Sequence, residues 1–302
     1  ADLEGVSLRF GEVALVIESD WVPRLSLHDV TLSDASGVTL ASLSRAQSKV
    51  ALGPLLQGAL QPAEISLSGA RVTLRRSKDG AVGLSVGETA PPLEEAANLG
   101  ALAAQLDAVL ERPHFAALRE VEASNLTLRY EDARADRAWN VDDGRFEMTR
   151  EGDRLTLRGD VALLGARAYA TTLAMNYTRE IGETAADFGV TFEDMPARDI
   201  AGQSAAMTWL GALDAPISGS LRASLDESGR LGLLNATLQI AEGVLQPTEA
   251  TEPVAFSQAR VYFSYDPAQQ LLRFDEISVD SKWVSALAEG RAYLVGMESG
   301  WP

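Results

Sequence analysis

The apolar alternation of this chain changes phase inside its strands. In "AEISLSGARVTL", starting at Ala63, Ile65 and Leu67 point to one side of a strand. Strict alternation would put Gly69, Arg71 and Thr73 on that side next, yet the apolar residues are Ala70, Val72 and Leu74. The same slip recurs elsewhere. Leu25 and Leu27 are followed by His28-Asp29 and then Val30 and Leu32; Val121 and Ala123 by Ser124-Asn125 and then Leu126, Leu128 and Tyr130. Val254 and Phe256 are followed by Ser257-Gln258 and then Ala259, Val261 and Phe263. An extra residue in a strand is a β-bulge, which bends the strand and keeps the same face inward. Bulges at equivalent places predict a sheet curved in one direction.

Each slipping strand is followed by a polar turn and a returning strand, as in "RSKDG" before Val82 and Leu84. Val30 and Val72 stand 42 residues apart, a spacing that predicts an array of similar units. The expected fold is mostly β: an elongated, curved, gutter-like antiparallel sheet of strand–bulge–hairpin units with two short helices. The first helix is expected within residues 92–112, where Leu99, Leu102, Leu106, Val109 and Leu110 share one face and Pro113 stops it. The second is expected within 197–213, although Gly202 and Gly211 weaken it. The organisation that follows is β repeats over 1–91, the helix, a β-meander over 113–196, the second helix, and β repeats over 214–302 continuing the same groove.

Composition removes several function classes. A net charge of −17 argues against nucleic acid, which needs clustered positive charge. The basic cluster Arg71, Arg75, Arg76 and Lys78 reads as a solvated strand end. Without cysteine there is no disulfide, thiolate metal site or cysteine nucleophile. No uncharged stretch is long enough for a membrane-spanning helix, and the first residues do not read as a secretory leader. The chain reads as a soluble piece of something longer.

Catalytic motifs are thin. Gly83-Leu84-Ser85-Val86-Gly87 fits G-x-S-x-G, with Asp107 and His114 following in hydrolase order. That motif works on a sharp strand-to-helix turn, whereas here Ser85 sits late in a strand among antiparallel hairpins. His28 reads as a turn residue. Asp142-Asp143-Gly144, Asp79-Gly80 and Arg158-Gly159-Asp160 also read as turns, without the spaced ligands of a calcium loop. No catalytic residue, metal site or cofactor is expected.

Two stretches resemble the AsmA-like family of Gram-negative envelope proteins, bridge-type lipid-transfer proteins that include the TamB and YhdP groups. Leu25 to Leu84 is similar to that family's N-terminal strand–turn–strand blocks joined by a "pLL.G" connector. "LDAPISGSLRASLDESGRL" with "FSYDPAQQLLRFDEISVDS" and "AEGRAYL" is similar to the YhdP type in particular. The resemblance implies a sheet folded like a taco, an apolar interior that carries phospholipid acyl chains, and a periplasmic location. It also implies an inner-membrane helix and envelope partners belonging to a longer parent. On the residue pattern, the expected groove lining is Leu25, Leu27, Val30, Leu32, Ile65, Leu67, Val72, Leu74, Leu126, Leu128, Val261 and Phe263. The competing expectation is a structural β-rod whose apolar face is closed by its own helices.

Overall fold

The structure, a computed structural model, describes residues 6–17, 22–34, 39–78, 82–86, 99–133, 137–163, 171–201, 205–248 and 250–294. The chain is mostly β and divides into two compact units, residues 1–164 with 180–182, and residues 165–179 with 183–302. Among the described residues no helix is long and apolar enough to cross a membrane.

In the first unit β1 (Val6–Arg9) and β2 (Glu12–Ile17) run end to end along β3 (Pro23–Asp34). β3 pairs with β4 (Thr39–Val50), and β4 with β5 (Pro62–Ser68), all antiparallel. β5 and β6 (Arg71–Arg76) then run end to end beside β8 (Glu120–Asp132), and this pairing is parallel. β7 (Val82–Val86) returns antiparallel on β6; β9 (Arg137–Glu151) and β10 (Arg154–Leu163) complete the order beyond β8. The expectation of antiparallel hairpins throughout is therefore corrected at one place. A parallel pair needs a long crossover, and the chain from β6 to β8 supplies it, including α2 (Leu99–Leu110). A short helix α1 (Leu52–Leu56), not expected from the sequence, links β4 to β5.

The phase slips form a line across this sheet. Asp29, Gly69 and Asn125 have φ of 49°, 72° and 51°, the left-handed region that Gly, Asn and Asp tolerate best. The ladders of β3 with β4 and of β5–β6 with β8 nevertheless stay in register past them, whereas that of β8 with β9 shifts on either side of Leu126. β3 and β4 keep one register from Arg24↔Lys49 to Leu32↔Ala41, and β5–β6 keep one with β8 from Glu64↔Glu120 to Arg76↔Asp132. A bulge would leave one strand a residue longer than its neighbour. Here the turned residues of β3, of the β5–β6 junction and of β8 lie on one row. Between β3 and β4 and between β5–β6 and β8 a shared crease therefore stands in place of the expected bulges, while the β8–β9 ladder is irregular at that row. Gly11 lies against Asp29 and Ser44 against Gly69. Ser44 Oγ donates to the Ser68 carbonyl at 2.8 Å, the Gly69 N–H to the Ser124 carbonyl at 3.1 Å, and Asn125 Nδ2 to Ser68 Oγ at 3.0 Å. On β9 the turned residue is Asp143, φ 58°, and here the ladder with β10 does shift, between Asp160 and Ala162. Asp142-Asp143-Gly144 and Arg158-Gly159-Asp160 thus lie inside β9 and β10 and are not turns. Asp79-Gly80 lies outside the described residues.

In the second unit β11 (Thr171–Glu180), β12 (Ala186–Pro196), β14 (Pro216–Leu225), β15 (Leu234–Ile240), β18 (Gln258–Asp266), β19 (Leu271–Asp280) and β20 (Ser285–Tyr293) pair antiparallel in that order. The expected second helix is two shorter pieces, α3 (Ala197–Ala201) and a 3-10 helix (Ala205–Ala212). A small sheet joins β13 (Leu213–Asp214), β16 (Gly243–Leu245) and β17 (Val254–Phe256). The slip at Ser257-Gln258 is where the chain leaves β17 for β18 and so changes sheets. The interior is filled by Ile217, Leu238, Val261, Phe263, Phe192 and Leu210, all buried. Gly219 makes room for this filling, since a Cβ there would meet the Thr237 carbonyl, Leu238 and the Phe192 ring.

Gly69→Ala should destabilise the protein by about 1–3 kcal/mol in urea denaturation, because it meets Ser44 and holds φ above zero. Gly58→Ala, also at positive φ but with open space around it, should cost less. Ser44→Gly in the Gly69→Ala background should recover part of the loss.

On the polar face Glu64 lies opposite Glu120 and Glu122 opposite Glu147. Burial, then the charges of Glu64, Glu147 and Glu122, raise the Glu120 carboxyl above its ordinary range. A raised acid binds its proton more tightly when folded, so its ionisation opposes folding as pH rises through that range. Glu120→Gln should therefore stabilise at pH 7, and the gain should vanish below about pH 4.

Candidate functional site

The registers of the first unit assemble apolar residues into rows that cross the sheet. Before the crease, Leu15, Leu25, Ser48, Ile65, Val121, Met148 and Leu157 are ladder neighbours, and so are Val13, Leu27, Ala46, Leu67, Ala123 and Phe146. Beyond it, Val30 pairs with Leu43, Leu126 with Gly144, and Val72 with both Val86 and Leu128. Leu128 continues to Val141 and Leu163, while Leu74 pairs with Leu84 and Tyr130, and Tyr130 with Trp139. The intervening rows are polar, for example Ser26, Gln47, Ser66, Glu122, Glu147 and Arg158. Successive residues of a strand point to opposite faces. The turned residues Asp29, Gly69, Asn125 and Asp143 reverse that parity at the crease, so both sets of apolar rows stay on one face.

This face is covered at one end. Leu106 and Leu110 of α2, with Phe115 and Leu118, pack on Ile65, Val121, Met148, Leu155 and Leu157. Asp107 helps seat the helix by accepting the Gly182 N–H at 3.1 Å. Elsewhere the face is partly open. Leu25, Leu27, Leu67, Val72, Leu74, Leu126 and Leu128 are neither fully buried nor fully exposed, whereas Val30, Ala70, Ala123 and Val141 in the same rows are buried. Along the β1–β2 edge the same face ends in exposed Leu8, Phe10, Val13, Leu15 and Ile17, with Leu15 at 67%.

The opposite end of the face is polar and tied down. Tyr130 stacks on Trp139 at 5.4 Å, and its hydroxyl donates to Asp132 Oδ2 at 3.2 Å. The Asp132 carboxylate is fully buried and lies 3.6 Å from Arg76 Nη1. Burial pushes the Tyr130 phenol above its ordinary range. One residue back in each strand, Arg75 Nε donates to Glu131 at 2.9 Å, and hydrogen bonds from Arg129 and Arg75 hold that carboxyl below its usual range. Arg75 and Arg76 of the basic cluster are therefore paired along a parallel ladder, which the sequence reading did not anticipate.

The structure thus brings together Leu25, Leu27, Val30, Ile65, Leu67, Val72, Leu74, Leu126 and Leu128 on one face. Leu32 lies in β3 opposite Ala41, and its side chain falls outside the described residues. Val261 and Phe263 belong to the second unit, where each is 3% exposed and packed by its own chain, with Phe263 5.9 Å from the Phe274 ring. They occupy a filled interior, not an open lining. Ser85 sits in β7 opposite Thr73, Asp107 bonds the Gly182 amide, and His114 is exposed. Polar side chains of Asp29, Thr31, Ser42, Ser44 and Arg71 line a depression along the crease.

Sequence reasoning missed Phe10, Val13, Leu15, Leu43 and Val141. The signal was present. Phe10 to Val13 across Gly11-Glu12, Leu43 to Ala46 across Ser44-Arg45, and Val141 to Gly144 across Asp142-Asp143 are the same three-residue step. In comparisons with known proteins the chain matches no family model, no curated protein and no solved structure.

If the open face differs from a filled interior, truncation should report it. Leu155→Ala, at 0% exposure, should cost about 2–5 kcal/mol in denaturant unfolding. Leu128→Ala, partly exposed, should cost under about 2 kcal/mol.

Proposed function

We propose that the apolar face of the first unit holds phospholipid acyl chains. On this reading the chain is a periplasmic segment of an AsmA-like, bridge-type lipid-transfer protein that moves lipid between the inner and outer membranes. The observation that carries the reading is the set of apolar rows running across the crease while remaining partly exposed from Leu25 to Leu128. A soluble monomer rarely leaves so contiguous an apolar surface without a ligand or partner.

The chemistry suits sliding cargo. At about 0.8 kcal/mol per buried CH₂, a sixteen-carbon tail gains on the order of 12 kcal/mol from such a surface. That attraction has no direction, so moving from one apolar row to the next costs little. The polar rows on the other face keep the sheet wetted. No bond is made or broken, and no cofactor enters. The membrane helix, the envelope partners and the remainder of the path belong to the longer parent in this proposal.

A second reading applies to the second unit. Its interior is filled by its own side chains and by α3 and the 3-10 helix, with Trp209 set edge-on to Phe274 at 6.4 Å. We propose that this unit is a structural module and not part of the lipid surface.

Photo-crosslinking separates these assignments. A benzophenone side chain at Leu128 should capture phospholipid in cells, while one at Thr127, exposed on the opposite face, should not. One at Phe263 should also stay unlabelled. Equal lipid capture at Leu128 and Thr127, or none at Leu128 in a folded protein, would refute the acyl-binding face.

A further inference from the structure

The outer edge of β20 is complementary to itself. β20 pairs with β19 and, among the described residues, with no other strand. The Leu294 N–H donates to the Gln270 carbonyl on the β19 side at 2.8 Å. Backbone direction alternates along a strand, so the even-numbered residues turn their N–H and C=O groups toward β19. The odd-numbered residues, Leu287, Glu289, Arg291 and Tyr293, turn theirs outward. The side chains of Leu287 and Tyr293 are 73% and 66% exposed, and Trp283 and Val284 just before the strand are exposed as well. An unpaired edge of this kind is a template for another strand.

Charge complementarity selects which strand. In an antiparallel pair, outward residues must face outward residues, so β20 can meet a second β20 only about an axis centred on a residue. Centring on Glu289 or on Arg291 sets like charges face to face. Centring on Ala288 sets Leu287 against Glu289. Centring on Gly290 sets Glu289 opposite Arg291 and Leu287 opposite Tyr293, and the two-fold axis repeats both pairs. Ala288 then faces Ala292, and nothing lies within 4 Å of a Cβ position on Gly290 at the axis. Opposite charges and apolar pairs directly across a ladder are the contacts that stabilise a sheet. We propose that β20 pairs antiparallel with β20 of a second copy of this chain, with the two-fold axis through Gly290. This inference does not rest on lipid binding.

Charge reversal tests it on the full chain. Sedimentation should find a dimer that Arg291→Glu and Glu289→Arg each weaken at least about tenfold, since either one places like charges opposite each other. Circular dichroism should show the fold intact, as both side chains are exposed. The double variant should regain the dimer, and the two single variants, mixed, should form a heterodimer, because each supplies the charge the other lacks. A wild-type chain that stays monomeric, a dimer that the single reversals leave intact, or a double variant that remains monomeric would overturn the proposal.

Discussion

Everything in the first unit depends on a row of residues that turn the chain over at the same place. A strand that passes through the left-handed region changes which face its next side chain meets. A single strand doing so would put its later apolar residues into water and break its ladder with both neighbours. In this sheet Asp29, Gly69 and Asn125 do so along one row, with Ser44 fitted between Asp29 and Gly69 and Gly11 against Asp29 on the outer side. The hydrogen bonds that cross the row, from Ser44 to Ser68 and from Asn125 to Ser68, hold it together. The change of face is therefore collective, and the register survives. At β9 the sheet takes up the difference with irregular ladders on both sides, to β8 around Leu126 and to β10 between Asp160 and Ala162.

That collective turn keeps one face apolar over the whole width of the sheet, and the two units use such a face differently. In the second unit large side chains and helices close over it, so that Leu210, Ile217 and Leu238 are buried almost completely. In the first unit α2 packs in a cluster around Met148 and Leu155 that takes in Leu157 and Phe146. Leu27, Leu67, Val72 and Leu128 stay partly exposed, while Ala123 and Val141 in the same rows are buried. At one end of those rows the buried Asp132 with Arg76 and Tyr130 replaces apolar contact by a paired charge. Such a pair is costly to break and marks a fixed boundary.

Much of this was legible from the residues. Alternation with a three-residue step identified the strands, and the pairs Ser68-Gly69 and Ser124-Asn125 marked where they turn, because Gly and Asn are the residues that accept positive φ. What alternation cannot express is whether neighbours turn together, since that is a property of the ladder. The step therefore reads as a bulge in each strand taken by itself. The parallel partnership of β5 and β6 with β8 was hidden for a similar reason, as it joins segments separated by β7 and α2. Val261 and Phe263 have the same pattern as Leu126 and Leu128, and only the packing of Ile200, Leu210 and Phe274 separates a filled interior from an open face. Asp142-Asp143-Gly144 reads as a turn because acidic residues beside glycine usually make one, yet the chain continues as β9 through it, turning over at Asp143 without reversing.

The central claim is that the open face of the first unit is an acyl-chain surface. Native mass spectrometry of the intact chain, purified from a Gram-negative host without detergent, tests it most directly. Bound phospholipid should appear as discrete mass increments and should disappear when Leu128 is replaced by Asp, because an unpaired carboxylate among acyl chains costs several kcal/mol to desolvate. A chain that carries no lipid, or one whose lipid persists in a folded Leu128→Asp variant, would contradict the account.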